Sequence, residues 1–152
     1  MANTQALCTS FMGELMTATH NFTTGTGDTF KAALYLASAT VNASTTAYSS
    51  TGEVTGTGYT AGGVAVTNGT SPSSTNTSAT AGVAYWTPSA SITYTSVTLT
   101  TAFDAVLIYN SSKSDKAVSV HTFGSQTVTA GTFTLTMPSN TTSTALIRLA
   151  TT

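Results

Sequence analysis

Apolar residues near the start of the chain recur at the spacing of a helix. The stripe consists of Leu7, Phe11 and Leu15. An adjoining strip carries Cys8, Met12 and Met16. Because residues four apart share one face of a helix, the pattern predicts an amphipathic helix over residues 4–17, with Thr4 as its cap.

After a turn-rich connection the apolar period changes to two. The segment "TFKAALYLA" places Phe30, Ala32, Leu34 and Leu36 on one face. Alternation of this kind predicts a strand with one buried side. Further strands are predicted in "GVAVTN", "GVAYWTP", "SITYTSVTLTT", "DAVLIYN", "KAVSVHTFG", "TFTLTMP" and "TALIRLA". The apolar phase slips between Tyr94 and Val97, which indicates a bulge.

Two segments between these strands have distinct predictions. Residues 69–80 contain no large apolar side chain and are predicted to be a flexible loop or arm. The segment "YNSSKSDKAV" is predicted to be a hairpin whose tip presents Lys113, Asp115 and Lys116 to solvent.

About eight short strands and a single helix at the front indicate an all-β protein. The expected architecture is an antiparallel β-sandwich over residues 29–149, of which a jelly roll is one form. The length of 152 residues fits a single domain, 1–152.

Charge is scarce in this chain. Only 6% of the residues are charged and the net charge is -1, against roughly a quarter charged in an ordinary soluble domain. The four cationic residues are scattered, so the chain lacks the basic surface that nucleic acid requires. Low net charge removes the repulsion between copies, which favours association with itself or with a larger body.

The N-terminus and the single cysteine also limit the choices. The segment "MANTQALCTSFMGELM" lacks the pattern of a signal peptide, and no apolar run approaches the length of a membrane span. Synthesis in a cytoplasm and no membrane partner are therefore expected. One cysteine, Cys8, allows neither an intrachain disulfide nor a cysteine-rich zinc site, and we expect it to be a small buried hydrophobe.

The stretch "EVTGTGYTAGGVAV", residues 53–66, resembles a phosphate-binding loop in its glycine spacing. Such a loop must open a helix and be followed about twenty residues later by an acid. Here the glycines precede a predicted strand, and the next twenty residues contain no acid. The glycines therefore indicate a tight turn that enters the strand at Val64 and Val66.

No catalytic arrangement stands out. The five carboxylates are not paired along the sequence, although two of them could meet in space as a glycosidase pair. His20 and His121 lie in no nucleophile motif, and His121 is expected to be a satisfied strand histidine. We expect no enzyme activity, no metal and no cofactor. A small hydrolase is the least favoured hypothesis.

Several segments resemble, in order, a family of small structural proteins of tailed bacteriophages. They are residues 27–67 with the turn "E-V-x-G-x-G-Y-x-x-G-G", then "LIYNSSKSDKAV", "GTFTLTMP" and "ALIRLA". The resemblance implies a virion component, and proteins of this sort commonly decorate or cement the capsid. It implies the major capsid protein and further copies of the chain as partners, at the capsid surface.

Two functional hypotheses follow. In the first, a homo-oligomeric decoration protein bridges capsid subunits through its helix, its arm and its glycine turn. Its candidate contact residues are Leu7, Phe11, Leu15, Tyr59, Ser71, Pro72 and Trp86. The alternative is a tail-fibre or receptor-binding module that recognises host glycans through exposed Tyr59, Tyr85 or Trp86.

Overall fold

The computed structural model describes residues 2–75 and 82–151, which form one helix and eight strands. In chain order the elements are β1 (Ala6–Leu7), α1 (Thr9–Met16), β2 (Phe30–Leu36), β3 (Val64–Ala65), β4 (Ser73–Ser74), β5 (Val83–Trp86), β6 (Ile92–Asn110), β7 (Lys116–Leu135) and β8 (Ile147–Ala150). Strand β4 falls within the loop predicted over residues 69–80. Residues 76–80 of that prediction lie outside the described residues.

The strands form two antiparallel sheets. The larger has the order β1-β7-β6-β2-β3, and the smaller has the order β4-β5-β8. The predicted all-β class is therefore confirmed, and β1 extends the larger sheet beyond the predicted range of 29–149. The arrangement of the sheets as a sandwich or jelly roll stays a prediction.

One long hairpin dominates the larger sheet. Strands β6 and β7 have 19 and 20 residues, so the prediction of four short strands in this region is wrong. The register shifts at several points, including the predicted bulge between Tyr94 and Val97. Bulges bend a strand without ending it, and Phe133 in the distal part of β7 consequently contacts both Phe103 and Phe123.

The N-terminal helix is shorter than predicted. It begins at Thr9, and Cys8 at its N-cap is extended without a capping side chain. Leu7 instead lies in β1, opposite Ser119 of β7. The prediction of a helix over 4–17 capped by Thr4 is wrong because the edge of β7 offers backbone partners that the stripe of Leu7 and Phe11 does not reveal.

Strand β2 is buried on both faces, whereas one buried side was predicted. Ala33 and Tyr35 are as inaccessible as Phe30 and Leu34. The strand lies between β6 and β3 in the larger sheet, and the Tyr35 hydroxyl donates to the Ser49 carbonyl at 2.5 Å.

The predicted glycine turn is confirmed, and it encloses a buried carboxylate. Glu53 accepts hydrogen bonds from the hydroxyls of Tyr48 and Tyr59, at 2.6 and 2.7 Å, and from the backbone of Gly62, at 2.8 Å. The Tyr59 hydroxyl also accepts the N–H of Leu34 at 3.0 Å. This arrangement ties the turn to β2 through groups that carry no positive charge.

Two glycines let the turn approach the strands closely. A Cβ atom on Gly56 would lie 2.1 Å from the Thr98 carbonyl oxygen, and one on Gly63 would lie 1.7 Å from that of Ala32. Gly63 also has a φ of 69°, which side chains disfavour. The turn therefore requires glycine at these two positions.

We predict that Gly63→Ala lowers the free energy of unfolding by about 3 kcal/mol or more, because the methyl group meets the backbone of β2. Gly13→Ala is the matched control, since nothing lies within 4 Å of its added Cβ and alanine stabilises a helix interior by about 0.5–1 kcal/mol. Urea unfolding measures both. Equal stability of the two variants would contradict the close approach.

Candidate functional site

An apolar groove lies between helix α1 and the smaller sheet. Its lining residues are Phe11, Leu15, Phe22, Pro72, Ala84, Tyr85, Trp86, Ile147 and Leu149, and the surface they present is apolar throughout. The volume is about 90 Å³, well below the roughly 300–1,000 Å³ of small-molecule sites. This helix–sheet groove therefore suits an apolar side chain of a larger partner.

An aromatic cluster forms the floor of the helix–sheet groove. The Phe22 ring stacks on Phe30 of β2 at 4.3 Å and lies 4.8 Å from the ring of Trp86 in β5. It also makes an edge contact with Phe11 of α1 at 6.0 Å. Phe22 thus joins the two sheets and the helix.

Hydrogen bonds fix the rim beside this cluster. The Trp86 indole donates to the Thr70 carbonyl at 2.9 Å and to the Asn68 side chain at 3.2 Å. The Asn68 amide in turn donates to the Phe22 carbonyl at 3.0 Å. These bonds hold the segment that leads to Pro72 against the smaller sheet.

The structure brings four of the seven predicted contact residues together at the groove. They are Phe11, Leu15, Pro72 and Trp86. Phe11 and Trp86 are only 1% and 2% exposed, so they form the floor, whereas Leu15 and Pro72 are more accessible. Ser71 lies beside Pro72, and its hydroxyl accepts the N–H of Thr24 at 3.0 Å.

The other two predicted contact residues, Leu7 and Tyr59, are not among the lining residues. Leu7 belongs to β1, and the Tyr59 hydroxyl is engaged by Glu53. Burial raises the pKa of Tyr59 above its ordinary value, and the hydrogen bond to Glu53 raises it further. This hydroxyl therefore remains a donor.

Three exposed residues that the sequence analysis did not select belong to the same region. Met12 and Met16 of α1 are 44% and 85% exposed, and Leu149 of β8 is 38% exposed. Leu149 lines the groove, and Met12 lies three residues before Leu15, hence beside it on the helix. The sequence shows the apolar strip of Met12 and Met16, but it does not show that the helix leaves this strip exposed.

A chain of polar contacts secures the helix on its other side. Glu14 bonds to Lys116 and, at 2.8 Å, to His20, whose other ring nitrogen lies 3.0 Å from the Asn110 amide. The same amide donates to Asp28 at 2.8 Å. The prediction of a solvent-facing Lys116 is met only in part, because its side chain is 39% exposed while its ammonium group pairs with Glu14.

The geometry of Asn110 defines the tautomer of His20. The Asn110 oxygen accepts the N–H of Ser112 at 3.1 Å, so its nitrogen faces His20 Nδ1. That ring nitrogen must accept, and Nε2–H then donates to Glu14. With its side chain fully buried and both nitrogens engaged, His20 acts as a structural link.

Glu14 and Asp28, the two carboxylates among these polar contacts, are held in their ionised form. Burial opposes ionisation of Glu14, but the hydrogen bonds from Lys116 and His20 outweigh it and lower its pKa. Burial also opposes the ionisation of Asp28, but hydrogen bonds from the Asn21 backbone and the Asn110 amide lower its pKa. Lys113 lies 3.7 Å from Asp28 as a further partner.

Cys8 is buried, as predicted. Burial, followed by the negative charge of Glu14, raises the pKa of Cys8 to about 11. The thiol is therefore protonated at neutral pH and is a poor nucleophile and metal ligand. Within residues 2–75 and 82–151, no three His, Cys, Asp or Glu side chains are grouped so that they could hold a metal ion.

Comparison with known proteins gives no relatives: no protein-family model, curated protein or solved structure matches this chain. None of the helices in the described part of the chain has the length and apolar character needed to cross a membrane.

His121 borders a second apolar cavity, of about 130 Å³, together with Val106 and Ile92. Its Nε2 atom lies 2.9 Å from the Ser119 hydroxyl, which confirms the prediction of a satisfied strand histidine. Burial lowers the pKa of His121 to about 4.

We predict that acid destabilises the fold partly through His121. An unfolded histidine takes up a proton near pH 6.5, whereas folded His121 does so only near pH 4. Between these values the unfolded chain binds more protons, so the free energy of unfolding falls as the pH falls. Urea unfolding at a series of pH values in this range measures the effect. The free energy of unfolding of His121→Gln should change less steeply with pH than that of the unmodified chain. An equally steep change would contradict the role given to His121.

Proposed function

We propose that this chain is a non-enzymatic structural protein of a tailed-phage virion that decorates or cements the capsid. It binds the major capsid protein through the helix–sheet groove. The observation that carries the proposal is the convergence of Phe11, Leu15, Pro72 and Trp86 at one apolar groove. The resemblance of the sequence to phage structural proteins supplies the class of partner.

The character of the groove supports a macromolecular partner. Its apolar lining offers no polar group to orient a small substrate, and its volume accommodates only a side chain or two. Exposed Met12, Met16 and Leu149 extend the apolar surface around it. Methionine side chains adapt to irregular surfaces and are common at binding faces.

The proposal includes a β-sandwich arrangement of the two sheets. Phe22 lies between Phe30 of the larger sheet and Trp86 of the smaller one, which supports face-to-face packing through this ring. A rigid body of this kind can present the groove without reorganising on binding.

No specific observation favours the alternative of a glycan-binding tail module. That hypothesis needs exposed aromatic rings beside hydrogen-bonding groups. Trp86 is almost fully buried, Tyr59 is engaged by Glu53, and Tyr85 borders a groove with an apolar lining.

The test uses capsids of the encoding phage from which this protein is missing. We predict that the purified chain co-sediments with them and that Met16→Asp weakens binding by about tenfold or more, a loss of about 1.4 kcal/mol. Met16 is 85% exposed, so the change should leave the fold intact. Circular dichroism checks that point.

Ser125→Asp is the matched control, since Ser125 is also exposed, lies at the middle of β7 and is not a lining residue of the groove. It adds the same charge away from the groove and should bind as the unmodified chain does. Failure of the unmodified chain to co-sediment, or equal binding by both variants, would contradict the proposal.

A further inference from the structure

Strand β8 is a free edge of the smaller sheet. It pairs only with β5 among the described residues, and Arg148, Leu149 and Ala150 are all exposed. An edge strand that is neither covered nor bulged can add a further strand. The open backbone groups and the side chains of β8 determine which strand can pair with it.

The hydrogen-bond pattern defines which groups of β8 are open. The Thr151 N–H donates to Gly82 at 2.9 Å, and the Thr75 N–H donates to Val83 at 3.0 Å. Because bonding partners alternate along an antiparallel ladder, Ile147, Leu149 and Thr151 bond towards β5. The N–H and C=O groups of Arg148 and Ala150 therefore point away from the sheet.

We propose that β8 pairs with β8 of a second copy of this chain, antiparallel about a two-fold axis at Leu149. Arg148 of each copy then exchanges two hydrogen bonds with Ala150 of the other. The two Leu149 side chains lie directly opposite each other, at the close Cα spacing of a non-hydrogen-bonded pair. The smaller sheets join into one sheet of six strands.

Charge and apolar character select this register. An axis at Arg148 would set two guanidinium groups opposite each other, and like charges in that position are destabilising. An axis at Ala150 would set Leu149 opposite Thr151. Only the axis at Leu149 keeps Arg148 opposite an uncharged residue and covers the exposed leucine with another leucine.

The pairing also places two helix–sheet grooves on one face. Leu149 lines the groove, and a two-fold axis perpendicular to a sheet keeps the same face up in both copies. With a net charge of only -1 per chain, the copies repel each other little. The dimer forms without any capsid, so it can be tested separately from the proposed function.

Sedimentation of the purified chain alone tests the dimer. We expect a concentration-dependent equilibrium between monomer and dimer. Ala150→Pro should leave a folded monomer, because it removes only an N–H that points away from β5, and proline is tolerated on such an edge. Ala150→Val keeps the N–H and should still dimerise. An association free energy of about 4 kcal/mol is enough for the dimer to form at about 1 mM. A chain that stays monomeric up to this concentration would therefore overturn the proposal. Dimerisation of Ala150→Pro would also overturn it.

Cross-linking tests the register. Leu149→Cys should form a disulfide between copies under copper phenanthroline, since directly opposite Cα atoms lie within the range that a disulfide spans. Arg148→Cys is the matched control, because its diagonal separation of about 7–8 Å exceeds that range. Native Cys8 is buried and should not react. Equal cross-linking of both variants, or none with Leu149→Cys, would overturn the register.

Discussion

The position of the helix and of the smaller sheet depends on the packing around Phe22. Its ring contacts Phe11 of α1, Phe30 of β2 and Trp86 of β5. Aromatic pairs of this kind contribute about 0.5–1.5 kcal/mol each beyond the apolar area they bury. The hydrogen bond from Asn68 to the Phe22 carbonyl connects this packing to the rim. The helix–sheet groove is therefore the outer side of the contact that joins the elements.

A chain with few charges also needs another way to hold its turns. Glu53 is buried, and tyrosine hydroxyls and a backbone amide satisfy its carboxylate. Two further tyrosines extend this arrangement: Tyr94 donates to the Ala32 carbonyl and Tyr109 to the Gly62 carbonyl. The ion pairs found among the described residues lie beside α1 and the segment that follows it, where Glu14 joins Lys116 to His20 and Lys113 approaches Asp28. The lining of the groove itself is apolar.

Local patterns in the sequence predict some of these features and not others. Alternation locates β2, β5 and β8, and the slip between Tyr94 and Val97 locates a bulge, because both depend on neighbouring residues. The start of α1 was misplaced because residues 6–7 pair with β7, more than a hundred positions later. The hydrogen bond between His20 and Asn110 likewise joins distant segments, 90 positions apart. Trp86 lies on the floor of the groove, but its burial depends on Phe22, which no local pattern connects to it.

Electron cryo-microscopy of the proposed virion, at a resolution that separates subunits, tests the proposed docking most directly. We predict density for this chain on the capsid lattice, with the helix–sheet groove turned towards the major capsid protein and Leu15 and Pro72 at the contact. Density for the chain only at the tail, or on the capsid with the helix–sheet groove open to solvent, would contradict it.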